Sequence, residues 1–212
     1  MASRRWKWWI AKPAVFFACL APIGLLLYWG FTDQLSPSPV EDITNGTGLW
    51  TLRFIMITLA ITPIRKLTGW QVVTRFRRMT GLFAFFYGFL HFITYIWLDQ
   101  ALDFQEILKD IPKRPFITAG FTALVLMLPL AVTSTKKWIG RIGGKRWQML
   151  HRLIYISGFA AVLHYVWKVK LDATTPLRYG MLLAVLLGIR AWFALRPRFA
   201  AQKSSVTSRF RP

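Results

Sequence analysis

The sequence predicts an all-α membrane protein, six transmembrane helices in one bundle with both termini in the cytoplasm. Three observations predict it. Hydrophobic residues make up 55% of the 212 positions and aromatic residues 16%, more apolar surface than a soluble chain of this size can hide. Six apolar runs are long enough to cross, or nearly cross, a bilayer at about 1.5 Å per residue. The loops between them alternate sharply in charge.

The first run, Trp8 to Trp29, follows a basic start at Arg4, Arg5 and Lys7. Its length and the lack of a small-x-small cleavage pattern make it an uncleaved anchor rather than a twin-arginine export signal. Trp6, Trp8 and Trp9 suit an interfacial belt. Cys19, the only cysteine, rules out a disulfide within the chain and a four-cysteine metal site, and reads as a small buried residue. Asp33 to Gly48, rich in Pro, Gly, Ser and Asp, reads as a loop. The second span runs from Leu49 to Ile64, and a basic loop with Arg65, Lys66, Arg75, Arg77 and Arg78 leads to the third, Met79 to Leu98. Within the next loop, LDFQEILKDI reads as a short surface helix. The fourth span is Pro115 to Val132, followed by a third basic loop. The fifth is Gln148 to Lys168 and the sixth Pro176 to Leu195. Residues 1–199 are expected to form the transmembrane domain, and 200–212 a disordered basic tail.

With the amino terminus inside, 21 of the 28 Lys and Arg residues fall on the cytoplasmic side and all eight acids fall outside. That asymmetry orients the chain. It also accounts for the net charge of +20, as topology reinforced by anionic lipid rather than nucleic-acid binding. Gly140 to Lys145 lacks the spacing and the Ser or Thr of a phosphate loop, and no dinucleotide fingerprint occurs. A nucleotide-dependent reductase would therefore be a separate protein. No internal repeat is visible in the sequence.

All three histidines lie in apolar runs: His91 in the third span, His151 and His164 in the fifth. Imidazoles are costly inside a membrane and mark function there, and haem iron is the ligand chemistry most at home between membrane helices. His91 lies about 12 Å and His164 about 6 Å below the outer ends of their helices, so the two share a depth and are expected to ligate one b-type haem. His151 lies about 20 Å deeper along the same helix. With Arg77, Arg78, Lys145, Arg146 and Arg152 it forms a basic ring suited to haem propionates, a flavin phosphate or lipid headgroups. A second haem there would need another ligand, for which Met79 and Met149 are the candidates. Arg53, one turn into the second span, either holds a propionate of the outer haem or snorkels to the interface. The spans so drawn contain no Asp or Glu, which argues against a proton relay.

Several stretches resemble the MsrQ family, also called YedZ. They are Thr47-Gly48-Leu49-Trp50 with Thr62-Pro63; Arg77-Arg78-Met79-Thr80-Gly81-Leu82 leading to Leu90-His91; Lys113-Arg114-Pro115; Pro129-Leu130-Ala131 with Thr133-Ser134-Thr135; and Trp147-Gln148-Met149-Leu150-His151-Arg152 continuing to Leu163-His164-Tyr165 and Trp167. The resemblance implies the haem-binding membrane subunit of the periplasmic methionine sulfoxide reductase system, in a multi-pass protein of the bacterial inner membrane. It implies electrons drawn from the quinone pool, or from a cytosolic flavin reductase, and passed outward to a molybdenum-dependent catalytic subunit, MsrP, that repairs oxidised envelope proteins. An FMN is associated with that family. The wider group of transmembrane haem proteins carries two histidines on each of two helices, and here position 77 or 78 is arginine. The rival readings are a stand-alone ferric reductase and a cofactor-free, histidine-lined transporter.

Overall fold

The computed structural model describes residues 2–169 and 172–209, and among them it contains helices and no strand. The side chains of residues 1–8, 99, 104, 170, 171 and 196–212 lie outside that description. So do the belt residues Trp6 and Trp8, the charge at Lys170 and the side chains of the expected tail. The helices are α1 (Ala2–Phe31), α2 (Pro39–Thr68), α3 (Arg77–Thr94), α4 (Phe104–Lys113), α5 (Pro115–Val132), α6 (Lys136–Ile142), α7 (Gly144–Leu150), α8 (Leu153–Lys168) and α9 (Thr174–Arg209). Six stretches are long and apolar enough to cross a membrane: Trp9–Phe31, Pro39–Thr68, Arg77–Leu98, Pro115–Val132, Gly144–Lys168 and Thr174–Leu195. Phe17, Phe159, Met181 and Val185 are each more than half exposed, which suits a bundle solvated by lipid and no soluble one. We call the bundle end with the connections at 32–38, 99–103 and 172–173 the acidic end, and that with the connections at 69–76 and 133–143, the latter including α6, the basic end.

Two differences from the sequence reading bear on the histidines. Helix α2 starts at Pro39, ten residues before the expected span. Pro39 stands at the first helical position, where its missing N–H costs nothing, and Glu41 and Asp42 in the first turn favour the positive end of the helix dipole. Thr44, Asn45 and Gly48, read as loop, are therefore helical. The expected fifth span is broken: α7 ends at Leu150, His151 and Arg152 form a turn, and α8 starts at Leu153. The predicted surface helix is present as α4, capped by Asp103, whose carboxylate accepts the N–H groups of Gln105 and Glu106. At the start of α9, Asp172 accepts the N–H of Thr174 at 2.8 Å, and its hydrogen bonds from Thr174 hold its carboxyl below the usual range.

Two antiparallel pairs, α2 with α3 and α5 with α8, make the tightest contacts in the bundle. Small residues permit this, as is usual where lipid leaves no hydrophobic drive between helices: Ala84, Gly88, Ala119, Ala123, Ser157 and Gly158 lie on the packed faces. Ser157 donates to the Ala123 carbonyl at 2.9 Å, and a Cβ on Gly158 would meet Ile55 at 3.3 Å. The Ser157-Gly158 pair thus serves helix packing. Helix α1 packs on the bundle through Phe16, which meets the Phe83 ring, and through Cys19, Leu20 and Ile23, and one buried hydroxyl also ties it to α3. Tyr87 donates to the Cys19 carbonyl at 2.9 Å and accepts the Ile23 N–H at 3.2 Å, entering the helix next to Pro22. Cys19 is buried, as its reading as a small core residue expects.

Candidate functional site

His91 comes from the last turn of α3 and His164 from α8, and their ring centres lie 5.9 Å apart with the planes crossed at 75°. The matching depth inferred from sequence is therefore a real juxtaposition. His91 Nδ1 lies 2.8 Å from the Thr44 carbonyl oxygen on α2, and His164 Nδ1 lies 2.6 Å from that of Phe116 on α5. A carbonyl oxygen only accepts, so each Nδ1 carries the ring hydrogen and each Nε2 keeps its lone pair. Among the described residues neither Nε2 has a hydrogen-bond partner. This is how metal-binding imidazoles are normally held, one nitrogen anchored and the other free to ligate.

The pair stands between two cavities of about 580 and 560 Å³. Both are lined by Asn45, Gly88, His91, Gly120, His164 and Lys168. One extends past Leu52 and Tyr165, the other past Tyr95, Phe116 and Arg114. No third His, Cys, Asp or Glu joins the two histidines in a metal-binding group among the described residues. A bare ion on two imidazoles would lack ligands, whereas haem iron brings four of its own and needs two axial ones. Two imidazoles on opposite sides of one metal, each nitrogen about 2 Å from it, put the ring centres about 6 Å apart. The residues therefore fit a haem, which His91 and His164 would hold and for which the two adjoining cavities leave room.

Arg53 is not among the residues lining these cavities. It bonds the Tyr179 hydroxyl at 3.2 Å, and its guanidinium lies 4.6 Å from the centre of the Trp50 ring. The cation common to both cavities is Lys168, which donates to Asn45; Arg114 lines only the second, and the Glu41 carboxylate lines both. Sequence reasoning took Lys168 only as the outer end of the fifth span. Its signal was position, one helical turn beyond His164.

At the basic end a third cavity of about 620 Å³ is lined by Arg77, Arg78, His151, Arg152, Tyr155 and Arg190. His151 closes α7, its Nδ1 3.0 Å from the Trp147 carbonyl and its ring stacked on Trp147 with centres 3.8 Å apart. Its Nε2 is buried and, among the described residues, has no partner at hydrogen-bond geometry. Met79 and Met149, the sequence candidates for a ligand opposite His151, are not among the lining residues, and Met149 is two-thirds exposed. Arg190 was missed altogether, although a lone cation inside an apolar run is the signal that singled out the histidines. Met127 is the one described residue that lines both this cavity and the one past Leu52.

The ferric reductase like transmembrane component family matches residues 47–164, a stretch holding all three histidines. A relative from Herminiimonas arsenicoxydans, the protein-methionine-sulfoxide reductase heme-binding subunit MsrQ, is 50% identical over 191 residues, 89% of this chain and 88% of its own. This chain belongs to the MsrQ family. MsrQ proteins of Ralstonia nicotianae and Xanthomonas campestris are 48% and 49% identical over 185 and 201 residues. They cover 86% and 92% of this chain, and 85% and 92% of their own lengths. No solved structure matches. The contacts described above thus belong to an MsrQ architecture in which α2 and α5 each present a carbonyl to a histidine of the helix packed against it.

Proposed function

We propose that this MsrQ-family chain is the haem b electron-transfer subunit of a periplasmic methionine sulfoxide reductase. In this reading it takes electrons from the quinone pool, or from a cytosolic flavin reductase, and passes them to the molybdenum-dependent catalytic subunit MsrP. The single observation that carries it is the facing of His91 and His164 at 5.9 Å with both Nδ1 atoms anchored. Haem supplies one-electron chemistry that no side chain here can supply. The chain's own part is to hold the axial nitrogens, surround them with apolar residues such as Leu52, Leu124 and Phe116, and place Lys168 where a propionate needs a cation. Both termini lie in the cytoplasm of a bacterial inner membrane in this reading, which puts the acidic end and the histidine pair near the periplasm.

At the basic end His151 is the only imidazole, so a bis-histidine iron has no second ligand there. Four arginines, Arg77, Arg78, Arg152 and Arg190, suit an anionic group, and FMN with its phosphate fits that demand. The relatives' name, a heme-binding subunit, supports the haem reading over a cofactor-free transporter.

The test is the absorption spectrum of the purified full chain expressed with ample haem. A Soret band is expected, lost in His91→Ala and in His164→Ala and kept in His151→Ala. A colourless wild type, or equal loss in all three variants, would overturn the assignment. A preparation that reduces ferric chelates without any partner protein would favour the stand-alone ferric reductase.

A further inference from the structure

The two histidine anchors are built alike. The Thr44 carbonyl lies four residues before Gly48 on α2, and the Phe116 carbonyl four residues before Gly120 on α5. In a helix each such carbonyl already accepts the N–H of the residue four positions on, and that residue's side chain covers the groove beside it. Glycine leaves the groove open, so an imidazole can lie in it and reach the second lone pair of the oxygen. The fit is tight. A Cβ on Gly48 would stand 3.0 Å from His91 Cε1 and 3.0 Å from its Nδ1, and one on Gly120 would stand 2.7 Å from His164 Nδ1. An imidazole is rigid and here tied down by its hydrogen bond, so it cannot yield as a flexible chain end would. Gly88 and Gly158 differ, since a Cβ there would meet aliphatic side chains of neighbouring helices.

We propose that Gly48 and Gly120 are a matched pair of positioning residues. Each seats one axial histidine on a helix carbonyl, fixes its hydrogen on Nδ1 and sets its ring plane, so that the two planes cross at 75°. This rests on the haem reading above. Each glycine precedes its histidine by nearly the same length of chain, Gly48 to His91 and Gly120 to His164, so the seats repeat along the chain although no repeat shows in the surrounding residues.

The experiment is electron paramagnetic resonance and redox titration of the haem-loaded full chain, with haem counted per polypeptide. Crossed axial imidazoles give a strongly anisotropic low-spin ferric signal dominated by one low-field feature, whereas parallel ones give a three-line rhombic signal. The wild type should show the former. Gly48→Ala and Gly120→Ala should lose it for a rhombic or high-spin signal. They should also raise the midpoint potential, because a ligand without its Nδ1 hydrogen bond is less basic and stabilises ferric iron less. Gly180→Ala, whose Cβ would meet only Val162 at 3.6 Å, should match the wild type. If Gly120→Ala does not fold, Gly48→Ala carries the test. A wild-type signal of the parallel type, or alanine variants with unchanged line shape and potential, would overturn the proposal. A wild type without haem, or His variants that keep it, would instead sink the haem reading itself.

Discussion

Arg190 on α9 donates to the Leu59 carbonyl on α2 from Nε at 3.1 Å and from Nη2 at 2.7 Å. Pro63, four residues beyond Leu59, has no N–H to give that carbonyl, so the arginine replaces the missing helix bond. Its Nη1 reaches the Tyr155 hydroxyl on α8 at 2.8 Å, tying three helices at the edge of the basic-end cavity. Arg190→Leu should destabilise the protein by about 1–3 kcal/mol, the usual cost of orphaning a buried partner of a charged donor. Pro63→Ala restores a helix N–H, so the double variant should lose less than the sum of the two single ones. Thermal unfolding of the four proteins in detergent measures the coupling, and strict additivity would refute the pairing.

Tyr87 bridges the Cys19 carbonyl and the Ile23 N–H of α1 through one hydroxyl. Tyr87→Phe leaves two helix groups without that partner while keeping the ring stacked on Phe54. A loss of about 1–3 kcal/mol is expected, with α1 released first. Limited proteolysis of the 32–38 loop should speed up before the midpoint of global unfolding moves.

Lys168 and Arg53 separate two views of the cation near the histidine pair. A positive charge close to the haem favours ferrous over ferric iron, so Lys168→Gln should lower the midpoint potential. Arg53→Gln, whose guanidinium is turned to Tyr179 and Trp50, should leave it unchanged. Redox titration of the two variants decides between them, and a larger shift in Arg53→Gln would restore the reading of Arg53 as a propionate partner.

His151 carries a buried, unpartnered Nε2 into a cavity ringed by arginines. If the basic-end cavity holds the FMN proposed above, His151→Ala should lower the flavin retained per polypeptide while sparing haem, and Arg77→Gln with Arg78→Gln should lower it further. Quantifying haem and flavin released by acid from each variant checks both. Flavin retention unaffected by all three substitutions would place FMN elsewhere.

Particular residues show where sequence reasoning reached and where it stopped. His91 and His164 could be set at one depth from sequence because depth along a helix follows from a fixed rise per residue, and the structure brings their rings within 5.9 Å. The start of α2 was missed because Pro39, Asn45, Gly46 and Gly48 are turn formers on their own and outweighed the local helix-start signals, Pro39 at the first helical position and Glu41 and Asp42 in the first turn. With that segment went the Thr44 carbonyl and Gly48. The break at His151 was invisible because an apolar run shows no sign of a turn inside it.

The sequence by itself determined the six apolar segments and the loop charges, and it confined the imidazoles to two of those segments, because hydropathy, charge and helical rise are local properties. Only the tertiary structure decided that His91 and His164 face each other with crossed planes, that Lys168 rather than Arg53 borders them, and that Arg190 completes the helix opened by Pro63. Those are contacts between helices far apart in the chain, set by which faces pack and how closely glycine lets them approach, and no periodicity along a single segment encodes them.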